Sequence, residues 1–251
     1  MNDIITIAQT TFYRVARMPA LYVILLICIF DVAAMALYKD ISINMEQELM
    51  FDCAQAMTLV VALITSMVAA FEIPRELREK TAQFILSKPM GRSAFIWGKF
   101  FGVGSLVVFN CAIILVGSLA AYRLSFGETP WLILLSGALI IAEGLVLTGL
   151  GLVLSIFLTD TLAAICQFAF FAVGHSIYML PRLEGLGNPL TRGLTYIFPN
   201  FHHLDIKTEL PYGDWSEAPS LFVGLGVAYG IAYALFAVGL AAILFSRKDI
   251  Q

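Results

Sequence analysis

The chain has 251 residues, of which 60% are hydrophobic and only 13% charged, against a globular average of about half apolar and a quarter charged, and this composition assigns it to the integral membrane proteins. A net charge of -3 with no long basic run argues against a nucleic-acid partner, and no G-x-x-x-x-G-K-[ST] phosphate loop occurs, so any nucleotide energy has to come through another subunit. Cys28, Cys53, Cys111 and Cys166 lie within or at the edge of apolar runs without C-x-x-C spacing, which reads as buried thiols and not as a metal or redox site.

Residues 3–17 place Ile4, Ile5, Ala8, Phe12, Val15 and Ala16 at helical spacing, with Asp3, Thr6, Gln9, Arg14 and Arg17 elsewhere on the wheel. This predicts an amphipathic helix along the membrane surface, its arginines toward the cytoplasm. Pro19 separates it from a first span at 20–38. Ala34-Met35-Ala36 has the look of a signal-peptidase site, but the polar stretch ahead of the apolar run is too long and too amphipathic for a signal peptide. Residues 39–52, with Asp40, Glu46, Glu48 and Asp52 against one lysine, are expected as an acidic outer loop. The second span, 53–71, is long enough at about 1.5 Å per residue for a hydrocarbon core of ~30 Å.

The longest polar interruption in the first half follows, at 72–99. Pro74 suits the first turn of a new helix, where a missing N–H costs nothing, and Leu77, Thr81, Phe84 and Ile85 recur on one stripe. Glu76, Arg78, Glu79, Lys80, Gln83 and Ser87 are expected on the opposite, polar face, and Pro89 ends the helix by disfavouring the helical conformation at Lys88. At these residues the sequence resembles a family. Ile73-Pro74-Arg75-Glu76, Thr81, Leu86-Ser87-Lys88-Pro89, Arg92 and Gly98-Lys99-Phe100 are similar to the cytosolic loop of type-2 ABC exporter permeases, most of all the permease of the nitrous oxide reductase maturation system. Lys80 departs from the pattern, standing where many members carry Gly before the Thr.

The resemblance implies that 72–92 carries a cytosolic coupling helix docking into a groove on a separate ATPase subunit, which would hold ATP and Mg while this chain holds no cofactor. The coupling residues it implies are Glu72, Pro74, Arg75, Glu76, Leu77, Arg78, Glu79, Thr81, Phe84, Ile85, Ser87, Lys88, Pro89 and Arg92. It also implies a second permease copy and a prokaryotic cytoplasmic membrane, and in the nearest relatives an extracytoplasmic partner.

Further spans are expected at 93–122, 131–157, 162–180 and 221–245, the third over-long, the fourth opened by Trp131 as an interfacial anchor. Residues 181–219 are rich in Pro, Gly, Asn and charge, with an apolar patch at Leu194, Tyr196, Ile197, Phe198 and Phe201; they read as an outer interfacial segment. The fold class is therefore an all-α integral membrane protein, one permease domain over 1–251, of six transmembrane helices with an N-terminal interfacial helix and a cytosolic coupling helix. With both termini inside, ten of the 15 Lys and Arg residues fall on the inner side, as the positive-inside rule favours.

Glu143, near the middle of the fourth span, is costly there at about 2.5–3.5 kcal/mol and needs a cavity or a partner. It either lines a translocation path, titrates during the cycle, or ties helices together as a neutral hydrogen-bonded carboxyl. Asp31 and His175 sit nearer the outer helix ends, where water can solvate them, and Asn110 and Gln167 suit interhelical hydrogen bonds; Asp31, Asn110 and His175 join Glu143 as path candidates. His202-His203-x-Asp205 lacks a further ligand at metal spacing. An embedded enzyme built on Glu143 with Asp31 or His175 would have too few polar groups, scattered in depth, and no nucleophile paired with a base is present, so no catalytic centre is expected.

Overall fold

In lipid every backbone N–H and C=O must find a partner within the chain, so long apolar runs become helices. The computed structural model describes residues 2–37, 46–78, 91–177, 198–208 and 220–247. The described residues form α1 (Asn2–Ala16), α2 (Pro19–Leu37), α3 (Glu46–Arg78), α4 (Arg92–Phe126), α5 (Trp131–Phe157), α6 (Asp160–Ser176) and α7 (Ser220–Arg247). Two 3-10 helices, Phe201–Leu204 and Ile206–Thr208, lie between α6 and α7, and no strand occurs among the described residues. Helices α3, α4, α5 and α7 are long and apolar enough to cross a membrane; α1 and α2 form a pair bent by 66° that counts as a fifth if it is one broken span. The 17 residues of α6 extend about 25 Å, a little short of the ~30 Å core.

Three helix boundaries depart from the sequence reading. The loop expected up to residue 52 is helical from Glu46, because Met50 and Phe51 are buried in the main core and Glu46 and Glu48 suit the positive end of a helix. Helix α4 runs to Phe126 and not to 122; Gly127 stops it in the left-handed conformation, φ 76°, and donates its N–H to Arg123 O at 2.9 Å. At 35 residues, about 52 Å, α4 has to tilt or project beyond a ~30 Å core. The third departure is in α3, which passes through Pro74 without the break expected after Phe71, so Pro74 does not open a new helix.

Helix α5 is the centre of the bundle, packed on α3, α7, α4 and α6. Its Leu139, Val146, Leu147 and Leu152 are fully buried. Between helices in lipid there is little hydrophobic drive, so backbones approach over small residues. A Cβ at Gly230 of α7 would lie 2.8 Å from Ala142 Cβ of α5, closer than side chains tolerate. Helix α1 is seated on α4 in the same way: a Cβ at Gly102 would lie 2.7 Å from Thr11 Cβ and 2.8 Å from the Ala8 carbonyl oxygen. The described part of the expected outer segment is held on the bundle, with Phe201, Leu204 and Ile206 buried and Phe198 stacked on Phe170 at 5.0 Å. Leu194, Tyr196 and Ile197 lie outside the described residues.

Candidate functional site

Two polar regions occupy opposite ends of the bundle. The first explains why α3 continues past Pro74. Glu72 and Glu76 are four residues apart, hence on one face of α3, and that face meets Arg14 of α1 and Lys99 of α4. Arg14 Nη1 donates to Glu76 Oε1 at 2.8 Å and Lys99 Nζ to Glu72 Oε2 at 2.9 Å. Arg14 also pairs with Glu72, and Lys99 with Glu76, so each base bridges both acids. Glu72, Glu76 and Lys99 are 0%, 3% and 2% exposed. Lys99 Nζ lies 5.4 Å from the centre of the Phe95 ring, a cation–π contact. Two acids and two bases leave the group electrically balanced, the condition under which charges survive burial.

This corrects the expectation that Glu76 lies on an exposed or partner-facing polar surface with Arg78. A one-sided stripe describes a short independent helix; in the continuous α3 the face bearing Glu72 and Glu76 turns inward, because α1 and α4 supply the opposite charges. Lys99 and Arg14 were not recognised as part of this group. Their signals were a lone lysine inside the apolar Phe95–Val103 run and an arginine on the polar side of a helix that must lie against something.

At the surface beside this group, Arg78 Nη2 donates to Asp160 Oδ2 at 2.6 Å, joining the end of α3 to the start of α6. The Arg78 hydrogen bond, above all, holds the Asp160 carboxyl below its ordinary range; desolvation opposes it and the Thr161 backbone N–H assists. Arg92 Nη1 donates to Ser246 O at 3.1 Å and ties the start of α4 to the end of α7. Pro74 is buried and Arg75 half-buried. The side chain of Leu77, and Glu79, Thr81, Phe84, Ile85, Ser87, Lys88 and Pro89, lie outside the described residues.

The second region gathers some path candidates and separates others. Glu143 of α5, 2% exposed, has Oε1 3.6 Å from Nδ1 of His175 on α6, and that Nδ1 lies 3.3 Å from the Phe171 carbonyl oxygen. Both line a cavity of about 190 Å³, whose wall also includes Gln55 of α3, Ser136 of α5, and Asp205 and Lys207 of the 3-10 segment. Lys207 Nζ pairs with Asp52 Oδ1 at 2.7 Å. Asp31 and Asn110 are elsewhere. Asp31 Oδ2 accepts from Cys53 Sγ at 3.3 Å between α2 and α3, and Asn110 Nδ2 donates to Thr65 Oγ1 at 3.1 Å between α4 and α3. Gln167 Nε2 donates to Ser66 Oγ at 3.3 Å and to Leu147 O at 3.1 Å, linking α6 to α3 and α5. Asn110 and Gln167 thus serve as interhelical hydrogen-bonding residues. Asn200 Oδ1 accepts the His202 N–H at 3.1 Å and His203 meets the Tyr229 ring edge-on, so this stretch is organised by local packing.

Among the described residues the chain is entirely helical, with several helices of membrane-crossing length and apolar composition, and is a multi-pass membrane protein. Residues 21–245 match the family model described as ABC-2 family transporter protein, and the chain belongs to that family. Membership makes it a permease subunit of an ABC transporter, a transport domain without its own nucleotide-binding domain, and implies an ABC ATPase partner. No curated protein matches the chain.

Proposed function

We propose that the chain is the permease half of an ATP-driven exporter in a prokaryotic cytoplasmic membrane, with six spans, both termini in the cytoplasm, and a second permease copy beside it. The loop at 72–92 would couple the chain to an ABC ATPase that takes it in a groove and holds ATP and Mg. The observation that supports the coupling reading is the buried Arg14–Glu72–Glu76–Lys99 group at the start of this loop. A displacement of the loop would reach α3 where α3 is fastened to α1 and α4, so three helices would move as one rigid body. Glu143 and His175, with Asp31 and Asn110 nearer other helix contacts, are the path candidates.

A second reading, transmission of motion to an extracytoplasmic protein, is favoured by the seating of Phe201, Leu204 and Ile206 on the bundle, which couples the 3-10 segment rigidly to α5, α6 and α7. The similarity of the 73–100 stretch to permeases of nitrous oxide reductase maturation supports that same reading.

Co-purification of the tagged chain with an ABC ATPase subunit from the same cell tests the first proposal. The complex is expected to hydrolyse ATP faster than the ATPase alone, and charge reversal at Glu79 together with Lys80 is expected to abolish that stimulation while the permease remains monodisperse. Full stimulation by the reversed chain would place the docking surface elsewhere.

A further inference from the structure

We propose that the cavity between α3, α5, α6 and the 3-10 segment binds a primary ammonium group that has an oxygen close by, the chemistry of an ethanolamine headgroup. This goes beyond the permease reading and rests on no direction of transport. The cavity, about 190 Å³, exceeds several-fold the ~30 Å³ that one water occupies in the liquid. Its inner wall is rich in acceptors. Glu143 is 2% exposed and its Oε1 has no hydrogen-bond partner; the 3.6 Å to His175 Nδ1 is longer than a hydrogen bond. Ser136 Oγ donates to Ile133 O at 3.0 Å, which leaves its lone pairs for an incoming N–H. Asp205 also lines the cavity, its Oδ1 already accepting the Lys207 backbone N–H at 3.0 Å.

Lys207 does not balance these acids alone, since it pairs with Asp52 at 2.7 Å. An anion entering the cavity would face the acidic side chains of Glu143 and Asp205, which have no N–H to receive it. A metal ion would need more ligands than converge here; no group of three His, Cys, Asp or Glu side chains suited to a metal occurs among the described residues. An ammonium group supplies N–H donors to the Glu143 and Ser136 oxygens, and its charge favours the ionised form of the buried Glu143 carboxyl, whereas a quaternary ammonium has no N–H to give. The neighbouring oxygen is asked for by Gln55, whose Nε2 is buried on the same wall without a partner. Ala56, Leu59 and Ile140 fill much of the remaining wall and suit the carbons of the ligand.

The test uses the purified full chain in detergent, with native mass spectrometry after exposure to a short-chain phosphatidylethanolamine or to the phosphatidylcholine of the same chain length. The ethanolamine lipid is expected to be retained at least about tenfold better, a difference of about 1.4 kcal/mol, because only its headgroup can donate N–H bonds. Glu143→Gln is expected to remove that preference and Gln55→Leu to reduce it. Competition by free ethanolamine separates the sources: displacement of the lipid assigns the site to the amino alcohol alone, and retention of the lipid assigns it to the phospholipid. Equal retention of the two lipids, or a preference intact in Glu143→Gln, overturns the proposal. Should Glu143→Gln fail to fold, an unchanged preference in both Gln55→Leu and Ser136→Ala overturns it as well. No ATPase takes part, so failure here leaves the permease reading standing.

Discussion

Replacing Lys99 by Met keeps the volume and the apolar stem of the side chain while removing one positive charge from the buried group at the end of α3. The group then passes from balanced to a net charge of minus one, with Glu72 and Glu76, 0% and 3% exposed, left to share Arg14. Arg14 already pairs with both acids, from a side chain that is 30% exposed. Removing one partner from a buried charge group costs about 3–5 kcal/mol, which for a chain of this size corresponds to a fall in Tm of about 6–20 °C. Intrinsic fluorescence during heating of the detergent-solubilised protein reads this directly, since Trp97 lies two residues from Lys99 on α4. Glu76→Gln added to Lys99→Met restores charge balance and is expected to recover about 1–3 kcal/mol, a coupling within the usual range for residues in contact. A Lys99→Met protein as stable as the parent, or a double variant weaker than the sum of the two single ones, would refute the claim that the four side chains act as one balanced group.

Gly102→Val should unseat α1, because the new side chain meets Thr11 and the Ala8 carbonyl; a loss of about 1–3 kcal/mol and faster proteolysis of residues 2–16 are the expected readouts. The Arg78–Asp160 pair makes a pH-dependent contribution. Asp160 has its folded-state pKa below the ordinary 3.8, chiefly through the Arg78 hydrogen bond, so its contribution is present above 3.8 and is lost as the pH falls through the lower folded-state value. Unfolding of the parent and of Asp160→Asn should therefore differ at neutral pH and converge in acid, and a difference that grows in acid would contradict the assignment.

The apolar runs were legible in the sequence because helix formation in lipid is a local requirement: α5 coincides with the run from Trp131 to Phe157, and α7 with the run ending before Arg247. What was not legible depended on partners distant in the chain. Local rules start a helix at Pro74, yet the ion pairs to Arg14, 58 and 62 residues away, and to Lys99, 27 and 23 residues away, hold α3 continuous through it. The same distance effect hid the inward turn of Glu76, since a wheel drawn on one helix shows which residues share a face and not what that face meets. Glu143 and His175 were each visible as ionisable side chains in apolar runs. That they approach to 3.6 Å while Asp31 and Asn110 go to separate helix contacts follows from the register of α5 against α6, which no single run records.

Docking of the loop at 72–92 on an ATPase is the central claim. A photo-crosslinking amino acid placed at Phe84 or Ile85, activated in intact membranes of the source cell and followed by mass spectrometry of the adduct, tests this most directly. A crosslink from either position to an ABC ATPase subunit is expected, and it is lost when the charges of Glu79 and Lys80 are both reversed. Crosslinks confined to the chain itself, or to a protein that binds no nucleotide, would contradict it.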